Sequence, residues 1–280
     1  MSKTTVLGIP FDDLSLDEAA ERALALISER RSSIAVTPNA EILLAAQHDK
    51  KLRVILQRAD LTVADGVGAL FASWILGKPL RHRVPGIDLA GAVMARLART
   101  GGSVYLLGAK PGIGELAARQ LKTQYPGLCV AGIHDGYFSK AEEGTVLREI
   151  NAVCPALLLV CMGSPRQEKW LDEHARRLFF GLGIGLGGAL DVFAGQKRRA
   201  PAVLRRAGLE WLYRLICEPW RIMRMVRLPL LLLTAAKIRI REETRLENGK
   251  TDRFGGNRRQ WEIHPVPHAV RKAPRGRHRL

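Results

Sequence analysis

Residues 63–68 read VADGVG, where an apolar run from Leu61 to Ala64 ends on one carboxylate, Asp65, with two glycines in the next three residues. A carboxylate there either caps the following helix or stands at a sheet edge as a proton acceptor. Partial burial beside Val63 and Ala64 would raise its pKa toward useful values, and the glycines allow a ligand to approach the backbone. A second apolar run, Ser33 to Val36, closes on Thr37-Pro38-Asn39. As structure this is an N-cap with proline at the first helical position; as chemistry it puts a hydroxyl and an amide where phosphate or sugar binds at a helix amino terminus. Residues 81–88, RHRVPGID, offer either a solvated basic loop with Asp88 as a cap or paired arginines able to hold a diphosphate. Residues 163–168, GSPRQE, follow the run Leu157 to Cys161; Ser164-Pro165 starts a helix, and Gln167 in its first turn can face the strand ends.

Two glycine-rich turns and one basic stretch complete the set. Gly108 to Gly114 lacks both the Gly-x-Gly-x-x-Gly spacing and the Gly-Lys-Ser/Thr ending of a P-loop, and Gly183 to Gly188 comes closer to a binding turn. Either turn serves tight packing equally well. Arg214, Arg221 and Arg224 fall within about 80° on a helical wheel, although Pro219 disturbs the phase. Trp211, Tyr213, Trp220, Met223 and Met225 are interleaved with them, a mixture that suits either a solvated basic face or a surface meeting anionic lipid.

The elements that must position these residues are legible as alternating patterns. Strands are expected at 33–36, 61–64, 104–107, 128–133, 157–161 and 179–184, with helices at 40–46, 89–99, 115–124 and 167–177. Apolar strands alternating with helices predict an α/β fold, a Rossmann-like, mostly parallel sheet with helices flanking it, and ligands at the carboxyl ends of the strands. Residues 1–194 form the expected α/β core and 195–241 a basic helical appendage. A helix is expected from Pro201 through Trp211 and Tyr213, interrupted at Pro219, and Pro229 interrupts the next stretch. Residues 242–280, polar, basic and rich in Gly and Pro, form an expected disordered tail.

Charge divides the chain the same way. Of a net +17, the segment from Gly195 onward carries 22 Lys and Arg against 7 Asp and Glu, leaving the first 194 residues with 22 against 20. A near-neutral body and a cationic end face different partners, and nucleic acid, an anionic membrane and a polyphosphate all suit the second. Cys129, Cys154, Cys161 and Cys217 make no CxxC pair and read as buried thiols in a reducing compartment. The amino terminus lacks the build of a signal peptide, and the apolar run Leu228 to Ala236 is shorter than the roughly 20 residues a bilayer requires. The expectation is a cytoplasmic protein without a transmembrane helix.

Taken in order, the blocks TPNAE, ADG, RVPGID, GSPRQE and GGALD, with the later RAP, GLEWLYRL and EPWR, resemble the WecG/TagA/CpsF family of bacterial glycosyltransferases across roughly residues 5 to 240. The resemblance implies an inverting enzyme at the inner face of the cytoplasmic membrane that moves a sugar from a UDP-sugar to a polyprenyl-diphosphate-linked saccharide in cell-surface polysaccharide synthesis. It implies Asp65 as general base and Thr37 as its partner, with Asn39, Arg83, Gln167 and Asp191 in the sugar-nucleotide pocket. It also implies Arg214, Arg221 and Arg224 on the lipid diphosphate, with peripheral attachment to an anionic membrane surface. Relatives use several UDP-sugars, so the sugar stays open, as does a homo-oligomeric state. No Asp-x-Asp pair lies near these blocks, so neither a divalent metal nor another cofactor is expected; arginines and helix amino termini take the leaving charge.

Two other readings stay in view. A nucleotide-dependent oxidoreductase would use the glycine turns, with Asp135 after the fourth strand holding ribose, but the spacing of the first turn is wrong for it. A nucleic-acid-binding protein would use the basic end, yet no reading motif is present, and nucleic acid is not an expected partner.

Overall fold

The computed structural model describes residues 3–29, 31–201, 203–204, 208, 210–217 and 227–255. Of these, the residues up to Arg239 form one compact unit and those from Ile240 a second. The first begins with a hairpin, β1 (Thr4–Val6) and β2 (Ile9–Phe11), turned through Leu7 and Gly8, both at positive φ. The primed turns that do this match strand twist. Helix α1 (Leu16–Ser28) follows a capping box, in which Ser15 and Glu18 satisfy each other's backbone amides.

The core is a six-stranded, wholly parallel sheet built from β3 (Ser33–Val36), β4 (Leu61–Thr62), β5 (Ser103–Gly108), β6 (Cys129–His134), β7 (Leu157–Cys161) and β8 (Leu182–Gly185), in the order β4-β3-β8-β7-β5-β6. Its helices are α2 (Ala40–His48), α3 (Lys50–Arg58), α4 (Val67–Ile75), α5 (Gly86–Leu97), α6 (Ile113–Gln124), α7 (Glu143–Val153), α8 (Arg166–His174) and α9 (Ala189–Phe193). Side-chain alternation explains why the strands are apolar throughout. Leu106 and Leu159 enter the core cluster with Ala23, Val93 and Leu121 of α1, α5 and α6, whereas Tyr105, Leu107, Leu158 and Val160 enter the one with Ile150 of α7 and Trp170 of α8. Both faces are covered, as a parallel sheet requires. The β4 edge is closed by the exit of the hairpin: Asp12 N–H donates to Thr62 C=O at 2.8 Å, and Thr62 N–H to Asp12 Oδ2 at 2.9 Å.

Several expectations are corrected in detail. The last strand starts at Leu182, not 179, because Phe179 is exposed and its N–H is taken by Asn151 Oδ1. The thiol expectation holds for Cys161, whose burial pushes it up to about 12, but Cys129 opens the edge strand β6 and Cys154 ends α7 at φ 41°, and both are exposed. Pro229 does not interrupt a helix. It lies within the described helix α11 (Arg227–Gly255). Helix α10 (Glu210–Cys217) includes Trp211 and Tyr213, and the expected break at Pro219 lies outside the described residues. Helix α11 extends past Glu242 to Gly255; residues 256–280 lie outside the described residues.

Candidate active site

The strand order determines which loops meet. Strands β4, β3, β8 and β7 are consecutive neighbours, so the segments leaving their carboxyl ends are neighbours too: Asp65-Gly66, Thr37-Pro38-Asn39, Leu186-Gly187-Gly188 and Gly163-Ser164-Pro165. The helix after β3, α2, packs into the cluster with Leu52 and Ala69, while the helix after β8, α9, packs into the opposite one with Leu106 and Leu159. Adjacent parallel strands whose connections leave to opposite faces open a crevice between them. Thr37 stands on one side of it and Gly187 on the other.

Asp65 is held by backbone geometry. Val63 N–H donates to Val36 C=O at 3.1 Å and Asp65 N–H to Pro38 C=O at 3.3 Å, which keeps the exit of β4 beside that of β3. The cap of α4 falls one residue later, on Gly66 at φ 147° and ψ 157°, with no side-chain cap bond. That conformation excludes an ordinary side chain, so Gly66 turns the chain and the half-buried Asp65 is not the N-cap residue. The same separation of roles appears at β3. Asn39, not Thr37, caps α2, its Oδ1 accepting Ile42 N–H at 3.1 Å. Thr37 is left buried at the strand end.

The loop to α5 completes this side. Val84 N–H donates to Ala64 C=O at 2.9 Å, laying residues 83–86 along the end of β4, with Arg83 half-buried. Gly86 begins α5 against Thr37: a Cβ there would stand 2.6 Å from Thr37 Oγ1 and 2.7 Å from Leu186 Cδ2. The two arginines of the loop separate. Arg81, 83% exposed, faces Asp13 at 3.5 Å, and Asp13 also accepts the N–H groups of Arg81 and His82. Asp88, in the first turn of α5, receives a two-pronged bond from Arg199, at 2.5 and 3.1 Å. Arg199 thereby ties the chain after α9 to the loop that carries Arg83, a link that no local motif signals.

On the far side, Gln167 is buried and fully engaged. Its Oε1 accepts Gly187 N–H at 2.7 Å, and its Nε2 donates to Glu168 Oε1 at 2.8 Å. It therefore joins the exits of β7 and β8. Glu168 was not expected at the site. Desolvation pushes its carboxyl above the ordinary range, while the bonds from Gln167 and the weaker influence of Ser164 oppose that, and Oε2 has no hydrogen-bond partner. Burial of this kind disfavours the charged form. The sequence signal was its place in the first turn of a helix opening a glycine-rich turn. Asp191, half-buried on α9, faces Lys197 at 3.6 Å. Arg214 is described only as a backbone position of α10, and Arg221 and Arg224 lie outside the described residues.

The other glycine turn packs tightly. A Cβ on Gly108 would lie 2.4 Å from Cys161 C=O, and one on Gly114 would lie 2.4 Å from Ile133 Cγ2. Asp135 Oδ1 closes a local turn on Tyr137 N–H at 2.7 Å. Both features have a structural purpose that leaves the oxidoreductase reading without support. A cavity of about 610 Å³ opens at the opposite end of the sheet, where Gly102, Ser103, Pro155 and Phe180 line it. None of the residues above reaches it, and parallel α/β sheets bind ligands at their other edge, so the crevice is the site to follow.

Doubly wound parallel sheets bind ligands in the crevice at their switch point, and here a carboxylate, a hydroxyl and two polar turns gather there. The chain belongs to the WecG/TagA/CpsF family of glycosyl transferases, whose model matches residues 4–245. It is 34% identical over 238 residues to an N-acetylglucosaminyldiphosphoundecaprenol N-acetyl-beta-D-mannosaminyltransferase of Staphylococcus aureus strain MRSA252, covering 84% of this chain and 93% of that one. The protein of the same name from strain NCTC 8325 is 33% identical over the same coverage.

Proposed function

We propose that this chain is an inverting glycosyltransferase that moves an N-acetylmannosamine-type hexose from a UDP-sugar to a polyprenyl-diphosphate-linked saccharide. One observation carries the reading: a relative named as an N-acetylmannosaminyltransferase acting on N-acetylglucosaminyldiphosphoundecaprenol matches across 93% of its own length, and the family model spans every strand that positions the crevice. In this reading Asp65 takes the proton of the acceptor hydroxyl as its oxygen attacks the anomeric carbon. The new C–O bond forms opposite the donor bond, which breaks with its electron pair leaving on UDP, and the anomeric centre inverts. Thr37 positions the base, and Asn39, Arg83 and Asp191 hold the donor. Gln167 acts through Gly187, fixing the turn that receives the sugar nucleotide. Arg83 and the amino end of α2 offset the leaving charge.

Arg214, Arg221 and Arg224 reach the lipid diphosphate in this proposal, and attachment is peripheral, at the cytoplasmic face. No helix among the described residues is long and apolar enough to cross a membrane. The test is a panel of UDP-sugars offered with a short-chain polyprenyl-diphosphate N-acetylglucosamine acceptor, scored for UDP release with and without chelator. Release with UDP-N-acetylmannosamine in both conditions is expected. Activity that disappears with chelator and returns with manganese would refute the metal-independent mechanism, and no release from any sugar would refute the assignment.

A further inference from the structure

The helix that starts at the proposed base also exposes a large apolar face. Helix α4 buries Gly68, Ala69, Ala72 and Ser73, while Phe71 and Trp74, one turn apart, are 52% and 73% exposed. Helix α11 runs beside it in the same direction. Near its start, Leu228 Cδ1 and Leu231 Cδ2 lie 2.9 and 3.5 Å from where a Cβ on Gly68 would be. Three turns on, Arg239 Nη1 donates to Leu76 C=O at 3.0 Å. On α11, Leu231 and Ala235 are fully buried and face inward, whereas Leu230 and Leu233 are 51% and 60% exposed. Two adjacent helices therefore show solvent Phe71, Trp74, Leu230 and Leu233. Scattered apolar residues are normal on a protein surface, but large ones grouped on paired helices mark an interaction site.

The charge pattern selects the partner. Residues 67–79 and 227–239 contain no Asp or Glu; their charged residues are Lys78, Arg227, Lys237 and Arg239. Lys78 and Lys237 are exposed, both at the end where Arg239 ties the helices together. A two-fold contact with a second copy would bring like charges together without acidic complements from these segments. Aromatic rings with lysines beside them suit the headgroup region of an anionic bilayer. Phe71 lies four residues after Val67, the first residue of α4, about 6 Å of helical rise.

We infer that the α4–α11 face seats this protein on an anionic bilayer, with Phe71, Trp74, Leu230 and Leu233 in the headgroup layer and Lys78 and Lys237 on lipid phosphates. The surface belongs in part to the α/β core itself, through α4, whose first residue follows Asp65 by two positions. The inference rests on the lipid-linked acceptor proposed above, since that acceptor's diphosphate lies at the same depth.

The experiment is flotation of the full chain with vesicles of phosphatidylglycerol and phosphatidylcholine, and with phosphatidylcholine alone. The double variant Phe71→Ser/Trp74→Ser is expected to lower partitioning about tenfold or more. Leu233→Ser, on the partner helix, should lower it in the same direction, and Lys78→Glu/Lys237→Glu should abolish the preference for phosphatidylglycerol. UDP release with the short-chain acceptor should be unchanged in all three, because none of these residues is in the proposed machinery. Unchanged flotation of the double variant and of Leu233→Ser would overturn the inference. So would a dimer of the parent protein that the double variant dissociates without loss of flotation. Because flotation needs no turnover, an inactive but vesicle-binding parent would sink the enzymatic proposal alone.

Discussion

At the scale of single residues, the site depends on polar groups held by one another. Glu168 gives Gln167 its orientation, and Gln167 in turn holds Gly187 N–H. Burial raises the Glu168 carboxyl above its ordinary 4.5. A carboxyl raised on folding binds its proton more tightly in the folded chain, so stability falls as pH climbs from about 4.5 to the raised value and then levels off. Glu168→Gln keeps an oxygen acceptor for Gln167 Nε2 and removes the titration. Its melting temperature should therefore gain on that of the parent through this window. Thermal melts from about pH 4 to about pH 8 test this, and parallel curves would show that Glu168 does not titrate there. The choice between cap and base at Asp65 could not be made from residue types, because Asp serves both. The structure takes the cap role from both candidates, giving the cap of α4 to Gly66 and that of α2 to Asn39.

At the scale of elements, α5 is docked against the site through the absence of a side chain. Gly86→Ala would put a methyl 2.6 Å from Thr37 Oγ1, closer than atoms can stand, so Thr37 or the start of α5 must move. Overpacking of this kind costs about 1–3 kcal/mol. The variant should melt lower and also lose kcat, since Thr37 is displaced from the proposed base. A lower melting temperature with unchanged kcat would remove Thr37 from the machinery. The strands β3, β5 and β7 were legible almost to the residue because doubly covered parallel strands are continuous apolar runs. What stayed hidden has physical reasons. The hairpin turns on Leu7-Gly8 without the Asn-Gly signal. Helices α3, α7 and α9 are short or mostly polar on their outer faces, and α4 is so apolar that its period is masked. The Asp88–Arg199 fork spans 111 residues and leaves no local trace.

At the scale of the molecule, the division into a near-neutral body and a cationic end was readable from charge alone, whereas the meeting of the blocks was not. TPNAE, ADG, GSPRQE and GGALD are spread over more than half the chain, and only the order β4-β3-β8-β7 places their strand exits side by side. The family match extends over residues 4–245 and so covers all four of these strand exits. The account therefore rests on Asp65 at the mouth of the crevice. The measurement that tests it most directly is UDP affinity and turnover of Asp65→Asn with a lipid-linked acceptor. The account predicts a folded protein with unchanged UDP affinity and turnover reduced by at least about a hundredfold, as for loss of a general base. Near-parental turnover, or a protein that fails to fold, would contradict it.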